Sequence, residues 1–221
     1  MSVLKSMFRF STPHSLTRTN GDSDEMDSSL LGNVTGALLL GGKSTRMGRD
    51  KAHLEWQGEI WSTRAANLLA SLFTETLLVG GIPDADAPGR RVSDPSGPQC
   101  ALRGLVAALD AATSPRVLVV ATDLPLLCAD LLLALCAWPE NDAVVPVDDQ
   151  GDQPLCAIYQ RESCLEVARS NLASGRLSMR DLLTHVECSR VRFDDLGLSD
   201  LGDVALTNIN TPEDLATLEG S

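Results

Sequence analysis

The chain has 221 residues, 43% hydrophobic and 22% charged, which is enough for one α/β domain with a sizeable core and too few for two ordinary domains. A formal net charge of −12 argues against broad binding to nucleic acid or to anionic membranes, whose phosphates are held by positive patches. No apolar run approaches the ~20 residues a membrane span needs, and six cysteines without a CxxC or CxH spacing argue against a zinc or redox site and read as free thiols in a reducing compartment, the cytoplasm.

Residues 1–33 are rich in Ser, Thr, Asn and Asp and carry no periodicity, so they read as a disordered extension ahead of a domain spanning 34–221. That domain opens on Ala37-Leu38-Leu39-Leu40, an apolar run that stops at Gly41-Gly42. Continuous apolarity without alternation suits an interior parallel strand covered on both faces. Two glycines at its carboxyl end allow positive φ and let phosphate oxygens reach backbone N–H groups. Lys43, Arg46, Arg49 and Lys51 follow within nine residues, a basic cluster in an acidic chain. Because ligands of open α/β sheets bind outside the carboxyl ends of strands, this turn stands where a nucleotide would bind. Gly42-Lys43-Ser44 fits the phosphate loop of NTPases poorly, since the glycine needed five positions before Gly42 is Ala37, within the strand.

Residues 52–58 read as a short hairpin or loop, and 61–73 place Trp61, Ala65, Leu68, Leu69 and Leu72 at helical spacing. Thr76-Leu77-Leu78-Val79 is a second buried strand ending at Gly80-Gly81, and the proline-rich 82–99 reads as loop. A helix over 100–112 and a third strand over 116–121 complete a rhythm that predicts right-handed parallel crossovers. The third strand ends at Thr122-Asp123-Leu124-Pro125. A carboxylate there can hold magnesium beside nucleotide phosphates, or can simply cap a turn. Asp94, before Pro95, reads on its own as a turn former.

Further on, 127–138 reads as a helix, 143–147 as a strand with Pro146 marking an edge or strand end, and 155–159 as another strand. Residues 162–174 read as a helix, and a second is expected to start at Gly175-Arg176-Leu177 and run to about His185. The last strand, 204–210, leads into a helix capped by Thr211, with Pro212 in the first helical position and Glu213 and Asp214 at the positive end of its dipole. His14, His53 and His185 are scattered and read as surface residues.

The pattern L-x-G-G-x-S-x-R-M-G-x-D-K, filled by Leu39, Gly41, Gly42, Ser44, Arg46, Met47, Gly48, Asp50 and Lys51, resembles the nucleotidyltransferases with a dinucleotide-binding-like fold. Within them it is most similar to the molybdenum cofactor guanylyltransferases. Asp123 falls on that family's D-x-P turn, Asp94 on its second aspartate, and Asn208 to Asp214 on its N-x-N-T-P-E-D signature, so the likeness spans roughly 34–218. It implies a three-layer, doubly wound α/β fold with a mostly parallel sheet. It also implies transfer of GMP from GTP to the terminal phosphate of molybdopterin, with or without molybdenum, with release of pyrophosphate and with Mg2+ as cofactor.

On that resemblance Lys51 binds the nucleotide phosphates, Arg46 meets the developing charge, and Gly41 and Gly42 donate backbone N–H groups. Leu39 and Leu40 offer backbone atoms near the base, Asp94 positions the nucleotide or the ion, and Asp123 holds the metal and contacts the nucleotide. Ser44 and Asn210 are weaker candidates. Implied protein partners are enzymes that insert molybdenum and enzymes that receive the cofactor. The chain departs from the family at Leu40, usually Ala; at Gly80, often Asn; at Ala101, a Gly in the family's Gly-Pro-Leu-Ala-Gly turn; and at Gln153, often His. A molybdopterin cytidylyltransferase, a non-catalytic GTP-binding module and a phosphate-loop NTPase stand as alternatives.

Overall fold

The structure, a computed structural model, describes residues 32–41, 55–56, 59–124, 126–199, 201 and 206. Strand β1 (Val34–Leu39) is buried at every position and lies between two parallel neighbours, β4 (Glu75–Val79) and β6 (Arg116–Ala121). Burial on both faces explains why all three read as uninterrupted apolar runs. A two-residue ladder, β2 (Glu55–Trp56) with β3 (Glu59–Ile60), forms the expected hairpin and leads into α1 (Trp61–Leu72).

Strand β5 (Arg90–Val92) extends the sheet beyond β4 in parallel, where the sequence read as loop. Its short, exposed Arg-Arg-Val lacks an apolar signature because it lies at the sheet's edge. The chain then returns through α2 (Ala101–Ala111) to β6, on the far side of β1. That reversal makes the carboxyl end of β1 a topological switch point, where doubly wound sheets bind ligands.

Beyond β6 come α3 (Ala129–Ala137), β7 (Ala143–Asp148), β8 (Gly151–Asp152), β9 (Cys156–Gln160), α4 (Arg161–Ala173), α5 (Met179–Leu183) and β10 (Cys188–Val191). The sheet order is β10-β7-β9-β6-β1-β4-β5, with β8 on β7 and β9 antiparallel to both of its neighbours. Pro146 falls near the end of β7, past the residues paired to β9, with Val191 of β10 as its register partner. There its missing N–H costs no ladder bond to β9. Strand β10, Cys-Ser-Arg-Val, was not evident from the sequence because its alternation is polar.

Two apolar layers cover the sheet. Leu38, Leu78, Leu118 and Ile158 pack with α1 and α3 residues on one face, whereas Leu39, Leu77, Val119 and Tyr159 pack with α2, α4 and α5 on the other. The outcome is the three-layer, mostly parallel architecture expected. One helix start differs: Gly175 has φ of 74° and ends α4, its N–H bonding to the carbonyl of Leu172, and α5 begins only at Ser178, whose hydroxyl caps the N–H of Arg180. A left-handed glycine closes a helix rather than opening one.

Of the expected N-terminal extension, only residues 32 and 33 are described. Gly42, Ser44, Arg46, Lys51, His53, the strand at 204–210 apart from Leu206, and the helix from Thr211 lie outside the described residues.

Candidate nucleotide site

Strand register fixes the frame of the site. Leu39 pairs with Val79 and with Ala121, and Val79 pairs with Val92. Two residues beyond each of these, Gly41, Gly81, Asp94 and Asp123 form a row past the carboxyl ends of four adjacent parallel strands. Three backbone bonds secure the row from below: Leu40 N–H to the Val79 carbonyl (2.9 Å), Gly80 N–H to Val92 (2.9 Å) and Ala121 N–H to Leu155 (2.8 Å).

The row therefore brings Gly41, Asp94 and Asp123 of the sequence-derived set to one end of the sheet, with Leu39 and Leu40 buried directly beneath Gly41. Gly42, Arg46 and Lys51 belong to the segment outside the described residues. Gln153, expected on the acceptor side of the cleft, gives its side-chain amide to Asp148 (2.7 Å) and its N–H to the Pro146 carbonyl (2.9 Å). It braces the β7–β9 connection.

The Asp94 carboxylate is enclosed by three glycines. A Cβ added to Gly80 would lie 3.1 Å from both carboxylate oxygens, one on Gly41 3.8 Å from Oδ2, and one on Gly104 of α2 3.9 Å from Oδ1. Gly80 also has φ of 67°, a conformation that glycine adopts freely and L side chains rarely do. The departure at position 80 thus has a local cause: the space a side chain would take is filled by Asp94.

One functional candidate escaped the sequence. Arg103, in the first turn of α2, donates from Nη2 to Asp94 Oδ2 (3.0 Å) and from Nη1 to the carbonyl of Gly97. Its side chain is only 14% exposed, so the pair is shielded from screening by water. The available signal was an arginine beside a glycine in the otherwise apolar Ala101-Leu102-Arg103-Gly104-Leu105-Val106, where periodicity turns position 103 inward. Asp94 Oδ1 is buried without a hydrogen-bond partner among the described residues.

Away from the site, Glu75 at the start of β4 ties three elements together. It accepts from Thr35 (2.8 Å), from the N–H and hydroxyl of Thr113 (2.9 and 2.8 Å) and from Arg90 (2.7 Å). Burial alone would push its carboxyl up, but these donors outweigh it and hold the group at about 2.

Residues 36–191 match the family described as MobA-like NTP transferase domain, well over half of the chain. The chain belongs to that family. Relatives of this MobA-like transferase include a probable molybdenum cofactor guanylyltransferase of Pelotomaculum thermopropionicum, 35% identical over 82% of this chain and 90% of the relative. The molybdenum cofactor guanylyltransferase of Xanthomonas euvesicatoria is 33% identical over 83% of this chain and 93% of its own length. Among solved structures, the molybdopterin-guanine dinucleotide biosynthesis protein A of Archaeoglobus fulgidus superposes with a TM-score of 0.72 at 21% identity, covering 84% of this chain and 97% of that one. That likeness establishes the nucleotidyltransferase fold for the MobA-like chain. All six of its cysteines are free, Cys136, Cys156 and Cys164 buried and the other three partly so. Among the described residues no helix is long and apolar enough to cross a membrane.

Proposed function

We propose that the chain transfers GMP from GTP to the terminal phosphate of molybdopterin, releasing pyrophosphate. The observation that carries this reading is the row of Gly41, Gly81, Asp94 and Asp123 at the switch point of a chain whose relatives at 33–35% identity are named guanylyltransferases.

In the proposed reaction a phosphate oxygen of the acceptor attacks the α-phosphorus of GTP. A new P–O bond forms there, the bond to the β-phosphate bridge breaks, and its electrons leave with pyrophosphate. The attacking phosphate is already an anion at neutral pH, so no general base is needed. Positioning and neutralisation of charge then supply the catalysis. Gly41 and Gly42 offer backbone N–H groups to the phosphates, Lys51 binds the nucleotide phosphates and Arg46 meets the developing charge. Leu39 and Leu40 line the floor below the base, and Asp94 positions the nucleotide or the ion.

Among the described residues no group of three or more His, Cys, Asp or Glu side chains could hold a metal. A carboxylate past the carboxyl end of β6 is the kind of oxygen donor that suits magnesium, a hard ion held by one or two carboxylates together with substrate phosphates and water. Asp123 is the residue that would hold it. When bound, magnesium neutralises negative charge on the triphosphate.

The reaction takes place in the cytoplasm on this reading, with molybdenum-inserting and cofactor-receiving enzymes as partners; the free thiols are in keeping with a reducing compartment. Cytidylyl transfer is the second reading, favoured by one observation: Gly80 presents no side chain to the base. Pyrophosphate release measured with GTP and with CTP, each with and without molybdopterin, tests both. Release that depends on GTP and on the acceptor supports the proposal, a preference for CTP supports the second reading, and release without acceptor contradicts both.

A further inference from the structure

Asp94 faces an electrostatic difficulty where it stands. A carboxylate at the carboxyl ends of four strands, beside a site read as holding a triphosphate, is repelled by the ligand and would turn toward solvent unless held. The glycine cradle cannot hold it, because Gly41, Gly80 and Gly104 provide room and no side-chain donor. Arg103 provides the grip. Its Nη2 takes Oδ2, its Nη1 takes the Gly97 carbonyl, and the turn from Asp94 to Gly97 is thereby tied to the first turn of α2.

We infer that Arg103 is a positioning residue for nucleotide binding: it offsets the charge of Asp94 and fixes its rotamer, with Oδ2 toward Gly41 and Oδ1 toward Gly104. The inference rests on the function proposed above and adds a residue to it. Two further observations agree. The buried oxygen without a partner among the described residues is Oδ1, the one Arg103 does not take. The turn that Arg103 grips passes through Gly97, with φ of 140° and nothing within 4 Å of its notional Cβ, so no side chain packs against that point of the turn. The arginine fork can take a carboxylate and a carbonyl together; a lysine ammonium supplies the charge but not the fork.

The test is a double-mutant cycle on GTP binding, measured by calorimetry on the full chain with magnesium present and accompanied by steady-state GMP transfer and thermal melts. Arg103→Met is expected to raise the GTP dissociation constant and KM by about tenfold, with a smaller change in kcat. In the Asp94→Asn background the same substitution is expected to cost less than about threefold, because the group it acts through is gone. Arg103→Lys should recover part of the loss.

Should Arg103→Met melt below the assay temperature, Arg103→Gln, which keeps a donor and the side-chain length, carries the same cycle. Equal penalties in the two backgrounds, or wild-type affinity in Arg103→Met, overturn the inference while leaving the proposed function standing. Failure of the wild-type chain to bind GTP overturns both.

Discussion

Replacing Gly80 by alanine probes the packing of the site with one methyl group. The left-handed backbone at φ of 67° costs an L side chain about 1–2 kcal/mol. The new Cβ would lie 3.1 Å from both oxygens of Asp94, so the carboxylate must retreat and its 3.0 Å ion pair with Arg103 must lengthen. Weakening a shielded charged hydrogen bond adds roughly 1 kcal/mol. The total, about 2–3 kcal/mol, corresponds to a fall in melting temperature of roughly 4–12 °C for a domain of this size. Gly104→Ala is the control, since its Cβ would meet Leu39 at an ordinary 3.4 Å inside a helix, where alanine gains up to about 1 kcal/mol over glycine. Thermal melts and GTP titrations on both variants read the result. The expectation is a destabilised Gly80→Ala with about tenfold weaker GTP binding, beside a Gly104→Ala at least as stable as wild type. A Gly80→Ala protein with unchanged melting temperature and affinity would refute the enclosed placement of Asp94.

Two further predictions concern the scaffold. Glu75, held at about 2 instead of 4.5, stabilises the fold at pH values above 4.5, and that contribution is lost as pH falls toward 2. Because Arg90 is half exposed, the contribution is discounted to about 1–2 kcal/mol; Glu75→Gln should lose this at pH 7 in urea melts and show a shallower acid decline than wild type, whereas parallel pH profiles would contradict the assignment. Burial pushes the thiols of Cys136, Cys156 and Cys164 up to about 12, so alkylation of the native chain at pH 8, read by mass spectrometry, should be confined to Cys100, Cys128 and Cys188. Modification of Cys156 before unfolding would count against the described core.

The interior of this fold was legible because β1, β4 and β6 are buried on both faces and their composition records it. Edge strands were not: β5 is carried by two exposed arginines in a proline-rich stretch, and β10 by a polar tetrapeptide, each held by pairing to a neighbour that no local pattern announces. The direction of β9 was equally hidden, since an apolar run reads the same parallel or antiparallel. Gly175 misled for a different reason, a helix-ending glycine followed three residues later by a serine cap, so that two boundaries merged into one. At the site, the glycines after strands and the aspartates of the following turns were legible as residues past the carboxyl ends of parallel strands, which is where Gly41, Asp94 and Asp123 stand. Arg103 was missed because its significance lies in what it touches: the sequence showed an arginine within an apolar helix but not that Asp94 and Gly97 lie within its reach.

Acceptor-dependent GMP transfer by wild type and by Asp123→Ala, assayed side by side on samples of matched folded content, bears most directly on the central claim. The account predicts pyrophosphate release from GTP only when molybdopterin is present, and a loss of about a hundredfold or more in the variant with its melting curve preserved. Turnover by Asp123→Ala equal to that of wild type would contradict it.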